Sequence, residues 1–212
     1  MLMVESDRVR LHYEISGRAD APILVLVNSL GSDMHTWERV LPVLEGRFRV
    51  LRSDMRGHGR SEVAAESFTI EQLGRDVLSM MDEVHAERAS ICGVSLGGLV
   101  GLWLGIHAPD RVDRLILANT AATDPRGYTA CCAVLRDADL RGGPAQVKAA
   151  CLVITGTHDP ATPPADGRAL HAAIQHSSYV ELHASHMSAW EYADVFARTV
   201  VEHVTTTEVT HG

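Results

Sequence analysis

Long apolar runs, cysteine pairs, clustered positive charge and repeats are all scarce or missing in this 212-residue chain. Each absence removes a class of function. The longest apolar stretches, such as residues 22–27, fall far short of the ~20 residues of a bilayer-spanning helix, so no membrane role is expected. The first residues, Met-Leu-Met-Val-Glu-Ser-Asp-Arg, bring in charge before an apolar leader core forms. No secretory signal is therefore expected, and the cytoplasm is the expected compartment. The four cysteines include no C-x-x-C pair, which leaves zinc and thioredoxin-type sites without support. Cys92 and Cys151 lie in apolar runs, and with the neighbours Cys131 and Cys132 they read as small hydrophobes. Lys and Arg number 19 against 27 Asp and Glu, a net charge of −8, which argues against a nucleic-acid surface. No internal repeat or low-complexity linker divides the chain, so residues 1–212 read as a single domain.

What is present is a regular alternation of short apolar runs and amphipathic stretches. Val9, Leu11, Tyr13 and Ile15 alternate with polar residues, which predicts a half-buried strand hairpinned to the residues before Asp7. Short, mainly apolar runs follow at 23–27, 48–51, 89–92, 115–118, 151–154 and 179–182. Runs this short, bounded by Gly, Asn, Asp or Ser, suit strands buried on both faces of a parallel sheet. Between them lie helical patterns: Trp37, Val40, Leu41 and Leu44; Ile70, Leu73, Val77 and Met81 behind a Thr69–Gln72 capping box; Leu99, Leu102, Trp103 and Ile106; and Tyr192, Val195, Phe196 and Val200. The alternation predicts an α/β fold, a mostly parallel twisted sheet of about eight strands flanked by helices.

Gly93-Val94-Ser95-Leu96-Gly97 is a G-x-S-x-G pentapeptide set between the 89–92 strand and a helix starting near Leu96. The pentapeptide alone also describes a plain strand-to-helix turn. In this setting it predicts a nucleophile elbow, a tight turn whose flanking glycines leave room for a serine hydroxyl to stand clear of the backbone. A serine needs a base, and on this architecture an acid and then a histidine follow the nucleophile in chain order, on loops at the carboxyl ends of later strands. Twelve histidines are present. His186 follows the last strand run and precedes the final helix; its rival His183 sits at the strand end. Asp159, in the Gly- and Pro-bounded loop after the 151–154 run, is the acid expected to orient the imidazole. Asp137 and Asp139 are more distant rivals, and an Asx-turn is the bland alternative for Asp159. The Leu96 amide, following the nucleophile, and the Leu30 amide, in the loop Asn28-Ser29-Leu30-Gly31, are the expected oxyanion donors. The loop Asp54-Met55-Arg56-Gly57-His58-Gly59-Arg60-Ser61 lacks the order of a phosphate-binding P-loop. It reads as a brace beneath the site, held by Asp54 and Arg56.

Several of these segments together resemble 3-oxoadipate enol-lactonases of the α/β-hydrolase superfamily. They are Asn28-Ser29-Leu30-Gly31, the Asp54–Ser61 loop, Thr69-Ile70-Glu71-Gln72-Leu73-Gly74-Arg75-Asp76, and Gly93-Val94-Ser95-Leu96-Gly97-Gly98. Gly127-Tyr128 with Cys131-Cys132-Ala133 and Arg136-Asp137-Ala138-Asp139-Leu140 is the most specific segment; Asp159-x-Ala161-Thr162-Pro163-Pro164 and Ala184-Ser185-His186-Met187-Ser188 complete the set. The resemblance covers nearly the whole chain. It implies an α/β-hydrolase core, opening of an enol-lactone by Ser95, Asp159 and His186 through an acyl-enzyme, and no metal or organic cofactor. It also implies a helical cap, which this chain lacks around residues 119–128, where Asn119 runs through Asp124-Pro125-Arg126 straight into Gly127. Cap loss predicts a cleft with low selectivity and self-association through the bared surface. The expected partner is a small ester or lactone. A broad-specificity small-ester hydrolase or perhydrolase remains an alternative, as does a non-catalytic binding protein on the same fold. A haloalkane dehalogenase is disfavoured because its elbow carries aspartate.

Overall fold

Local sequence periodicity is realised as eight strands and six α-helices in the computed structural model, which describes residues 1–63, 68–122, 140 and 142–206. The strands are β1 (Leu2–Ser6), β2 (Val9–Gly17), β3 (Ile23–Val27), β4 (Arg49–Ser53), β5 (Ala89–Val94), β6 (Val112–Ala118), β7 (Ala150–Gly156) and β8 (Ser177–Leu182). The helices are α1 (Leu41–Leu44), α2 (Ile70–Glu83), α3 (Leu96–His107), α4 (Pro164–Ala173), α5 (Ser188–Glu191) and α6 (Ala193–Thr205). One sheet holds every strand in the order β1-β2-β4-β3-β5-β6-β7-β8. β1 and β2 are antiparallel, β2 runs antiparallel to β4, and all remaining pairs are parallel. The expected β1–β2 hairpin turns at Asp7 and Arg8, both at positive φ (47° and 63°), as a right-twisted two-residue turn requires.

The apolar runs of the central strands make sense once both sheet faces are covered; the run at 179–182 lies in edge strand β8, where Tyr179 and Val180 are half-buried and Glu181 is exposed. Val25, Val27 and Ile91 pack into one core with Leu73, Val77, Met81 and Val100 of α2 and α3. Their strand neighbours Leu24, Leu26, Cys92 and Val94 pack into a second core with Trp37, Leu44, Phe196 and Val200. Period-two alternation thus sends successive residues to opposite apolar layers. The Thr69–Gln72 capping box is formed in both directions, Gln72 N to Thr69 Oγ1 at 3.2 Å and Thr69 N to Gln72 Oε1 at 2.9 Å.

Two helix expectations need correction. The Trp37–Leu44 pattern is a 3-10 turn (Met34–Trp37) followed by the single turn of α1, whose Pro42 sits in its first turn. The spacing is right because all four apolar residues are buried, but one continuous helix is not formed. The final stripe is met in part. Tyr192 lies between α5 and α6, and Tyr192 and Val195 are 39% and 41% exposed, while Ala193, Phe196, Ala197 and Val200 form the buried face. Phe196 and Val200 are buried as expected; Tyr192 and Val195 are not, since α6 starts at Ala193 and turns that flank outward. Of the segment where the cap is expected to be missing, 119–128, residues 123–128 lie outside the described residues, as do Asp137, Asp139, Cys131 and Cys132. No helix among the described residues is long and apolar enough to cross a membrane.

Candidate active site

The sheet order decides where polar groups converge. The chain leaves β3 toward β4 on one side and returns to β5 on the other, and the crevice at such a switch point lies beyond the carboxyl ends of the strands. Parallel pairing of Val27 with Gly93 sets the loop after β3 directly beside the turn after β5. β6, β7 and β8 bring their carboxyl ends to the same edge.

The turn after β5 has little room. A Cβ on Gly93 would lie 2.0 Å from the Gly97 carbonyl oxygen, and one on Gly97 would lie 2.1 Å from the Val27 carbonyl oxygen. Between them Ser95 takes φ 56° and ψ −117°, a conformation that side-chain-bearing residues adopt only under strain. Its backbone N–H donates to Ala118 O (2.9 Å), and its carbonyl accepts from Thr120 Oγ1 (2.9 Å) and Leu99 N (3.1 Å), which clamps the turn from β6 and α3.

Ser95 Oγ lies 2.9 Å from His186 Nε2, and His186 Nδ1 lies 2.8 Å from Asp159 Oδ2. Asp159 follows β7, and His186 follows β8. The carboxylate side can only accept, so Nδ1 carries the proton and Nε2 offers its lone pair to the serine hydroxyl. Asp159 is buried. It also accepts from Ala161 N (2.8 Å), Thr162 N (3.1 Å), Thr162 Oγ1 (2.7 Å) and Asn119 Nδ2 (3.0 Å). Burial alone would raise its pKa. The hydrogen bonds from His186, Thr162 and Asn119 outweigh burial and hold the carboxyl well below the usual carboxylate range.

Of the sequence candidates, Ser95, His186 and Asp159 are brought into one hydrogen-bonded line. His183 is not part of it: its Nδ1 lies 3.2 Å from His158 Nε2, and its ring packs edge-on against Tyr192. Asp137 and Asp139 lie outside the described residues. Leu96 is the first residue of α3, so its amide is among those a helix leaves without an intrahelical acceptor. Leu30 lies in a turn closed by Ser32 N to Ser29 O (3.3 Å), with Gly31 at φ 71° as such a turn demands. The Asp54–Ser61 loop is a brace, as expected. Arg56 forms a buried bidentate pair with Asp76 (2.7 Å each), and Asp54 accepts from His12 Nδ1, Met34 N and Arg60 N at 2.9–3.0 Å.

One site residue was missed from sequence. Asn119, fully buried at φ 48°, donates to Asp159 Oδ2 and to the Ser185 carbonyl (3.1 Å) and accepts from Ser188 Oγ. It ties together the loops carrying the acid and the histidine. Its position at the end of β6 was the available signal, because strand ends on this edge carry site residues. Among the described residues no group of three or more His, Cys, Asp or Glu side chains is placed to hold a metal ion.

A family model described as the alpha/beta hydrolase fold matches residues 22–149. The chain is 31% identical to the 3-oxoadipate enol-lactonase 2 of Acinetobacter baylyi, over 91% of this chain and 92% of that protein. The crystal structure of an enol-lactonase from Burkholderia xenovorans superimposes with a TM-score of 0.92 at 37% identity, covering 97% of this chain and 100% of that one. A hydrolase from Pseudomonas aeruginosa superimposes at 0.88 with 33% identity, over 96% and 97% of the two chains. Fold and kinship over nearly the whole length agree: the chain belongs to the α/β-hydrolase family and resembles its enol-lactonases.

Proposed function

We propose that this protein is a serine hydrolase of carboxylic esters and lactones, that its substrate is 3-oxoadipate enol-lactone, and that it works in the cytoplasm. The observation that carries the reading is the unbroken line from Ser95 Oγ through His186 to Asp159, starting at a strained turn residue. Likeness to enol-lactonases over most of the chain supports the lactone as substrate.

In the first half-reaction Ser95 Oγ attacks the lactone carbonyl carbon while His186 Nε2 takes the hydroxyl proton. The carbonyl oxygen becomes an oxyanion facing the Leu30 and Leu96 amides. Collapse breaks the ring C–O bond. The leaving enolate oxygen takes the proton from His186 Nε2, which restores the neutral imidazole, and the enol then tautomerises to a ketone, so reclosure is disfavoured. Water, deprotonated by His186, then attacks the acyl-enzyme, and the proton returns to Ser95 as the acid leaves. Asp159 keeps the imidazole in its Nδ1–H tautomer and stabilises the imidazolium between these transfers.

A fluorophosphonate probe tests this reading. Stoichiometric labelling on Ser95, with turnover abolished by Ser95→Ala on the order of 10⁴-fold or more, supports the serine mechanism. No labelling, or a tenth of the activity left in Ser95→Ala, overturns it and favours a binding role.

A second reading, a broad small-ester hydrolase, is favoured by one observation. The alignment to the Acinetobacter relative runs over 245 positions, so that protein has residues without counterpart among the 212 here. This supports a segment missing from this chain, which the broad reading takes to be the cap around residues 119–128; a cap positions substrate and excludes water. Comparing p-nitrophenyl acetate with the enol-lactone on this chain and on a capped relative separates the two. A relative gain on the small ester supports the broad reading; full lactone efficiency without that gain overturns it.

A further inference from the structure

The Gly-rich 54–61 loop takes no part in the chemistry above, yet one of its side chains reaches the oxyanion loop. Gly31 N donates to His58 Nε2 at 3.0 Å, and His58 Nδ1 lies 3.1 Å from the Arg56 carbonyl oxygen. A carbonyl oxygen only accepts and an amide N–H only donates. The ring therefore has its proton on Nδ1 and a bare lone pair on Nε2.

The base of this strut is rigid. His58 N donates to Met55 O (2.9 Å), and its carbonyl accepts from Ser61 N (3.0 Å). Beneath it, Arg56 is locked to Asp76, and a Cβ on Gly59 would lie 2.3 Å from the Asp54 carboxyl carbon, so the loop is drawn tight around Asp54. The oxyanion loop is tied at both ends. Asn28 Nδ2 donates to Ser53 O (2.7 Å) and accepts on Oδ1 from Trp37 Nε1 (2.7 Å); Met34 N donates to Asp54 Oδ1 (3.0 Å). Between these ties stands the Ser29–Ser32 turn. A side-chain hydrogen bond from outside the turn reaches it at Gly31, next to Leu30.

We propose that His58 is a positioning residue for the reaction: its neutral imidazole holds the Gly31 amide and thereby aims the neighbouring Leu30 N–H at the oxyanion. The inference rests on the ester and lactone reading above. Peptide planes on either side of Leu30 move together, so a released Gly31 lets the turn rotate and the donor swing away. Losing one oxyanion donor outright costs about 10²–10³ in kcat; a misaimed donor costs less.

The test uses His58→Ala and His58→Gln in the whole protein, with p-nitrophenyl acetate as substrate and active sites counted by fluorophosphonate labelling. Gln can place an amide oxygen near the former Nε2. His58→Ala is expected to lower kcat per labelled site by about 10–100-fold, with KM within about twofold, because the interaction it loses is made in the transition state. A trifluoromethyl ketone inhibitor, whose serine adduct carries an oxyanion, should weaken by a similar factor. His58→Gln should recover most of both. A merely structural role predicts fewer labelled sites and a lower Tm with kcat per site unchanged, and that result overturns the proposal. Recovery by Gln no better than by Ala overturns it too. Turnover that survives Ser95→Ala sinks the serine reading itself, whereas normal Ser95 labelling with full turnover in His58→Ala sinks the role of His58 alone.

Discussion

Strain at Ser95, the proposed nucleophile, makes a prediction that needs no substrate. Ser95 sits at φ 56° and ψ −117° between Gly93 and Gly97, in a region comfortable only for glycine. Ser95→Ala and Ser95→Gly both delete Oγ and its hydrogen bond to His186, so their difference isolates the cost of a Cβ in this conformation. That cost is about 1–3 kcal/mol. Glycine loses more chain entropy on folding, about 0.5–1 kcal/mol, and forgoes at most ~0.8 kcal/mol of methyl burial. At the middle of these ranges Ser95→Gly is more stable than Ser95→Ala by roughly 0.5–1 kcal/mol, or about 1–4 °C in Tm for a domain of this size. The same exchange in an exposed stretch of α2 lowers stability by about 0.5–1 kcal/mol, so the reversal of sign is the signature. Thermal unfolding by circular dichroism, with urea midpoints at matched m-values, measures it. Ser95→Gly equal to or less stable than Ser95→Ala would show that the turn is not strained.

Asp159→Asn should keep the geometry but favour the wrong histidine tautomer, lowering kcat about 10⁴-fold; near-normal turnover would move the acid role elsewhere. The same residue predicts a pH dependence. Its folded-state pKa is depressed, so the ionised form contributes stability that is full above the unfolded carboxyl value of about 3.9 and is lost as pH falls toward the lower folded value. Urea unfolding at pH 6 and pH 3 should show a smaller acid loss in Asp159→Asn than in the parent, and an equal loss contradicts the depressed pKa. Arg56→Met leaves Asp76 buried without its partner, which costs about 3–5 kcal/mol and roughly 10 °C in Tm. A fall under ~2 °C would mean that the pair does not hold the 54–61 loop.

Much of the site was legible in the chain because its signals are local. The elbow is written in five residues, since the glycine spacing answers a steric demand within one turn. The order of the candidate acid and histidine is written in where polar loops follow apolar runs: Asp159 and His186 stand in the loops that leave β7 at Gly156 and β8 at Leu182. The capping box of α2 is likewise a matter of residues three apart. What lay beyond the sequence depends on neighbours that no local period encodes. Asn119 meets Asp159 and Ser188 across 40 and 69 residues, and a buried asparagine has no periodicity to announce it. Tyr192 and Val195 carry an apolar spacing, yet the start of α6 at Ala193 turns them outward. Above all, the pairing of β3 with β5 sets the Leu30 turn beside Ser95, and His58 reaches that turn from a loop beyond β4. Sequence alone determined which residues are candidates for the chemistry, because composition and spacing act over a few bonds. Tertiary structure decided which of them meet, because strand order is settled by packing two apolar layers around one sheet.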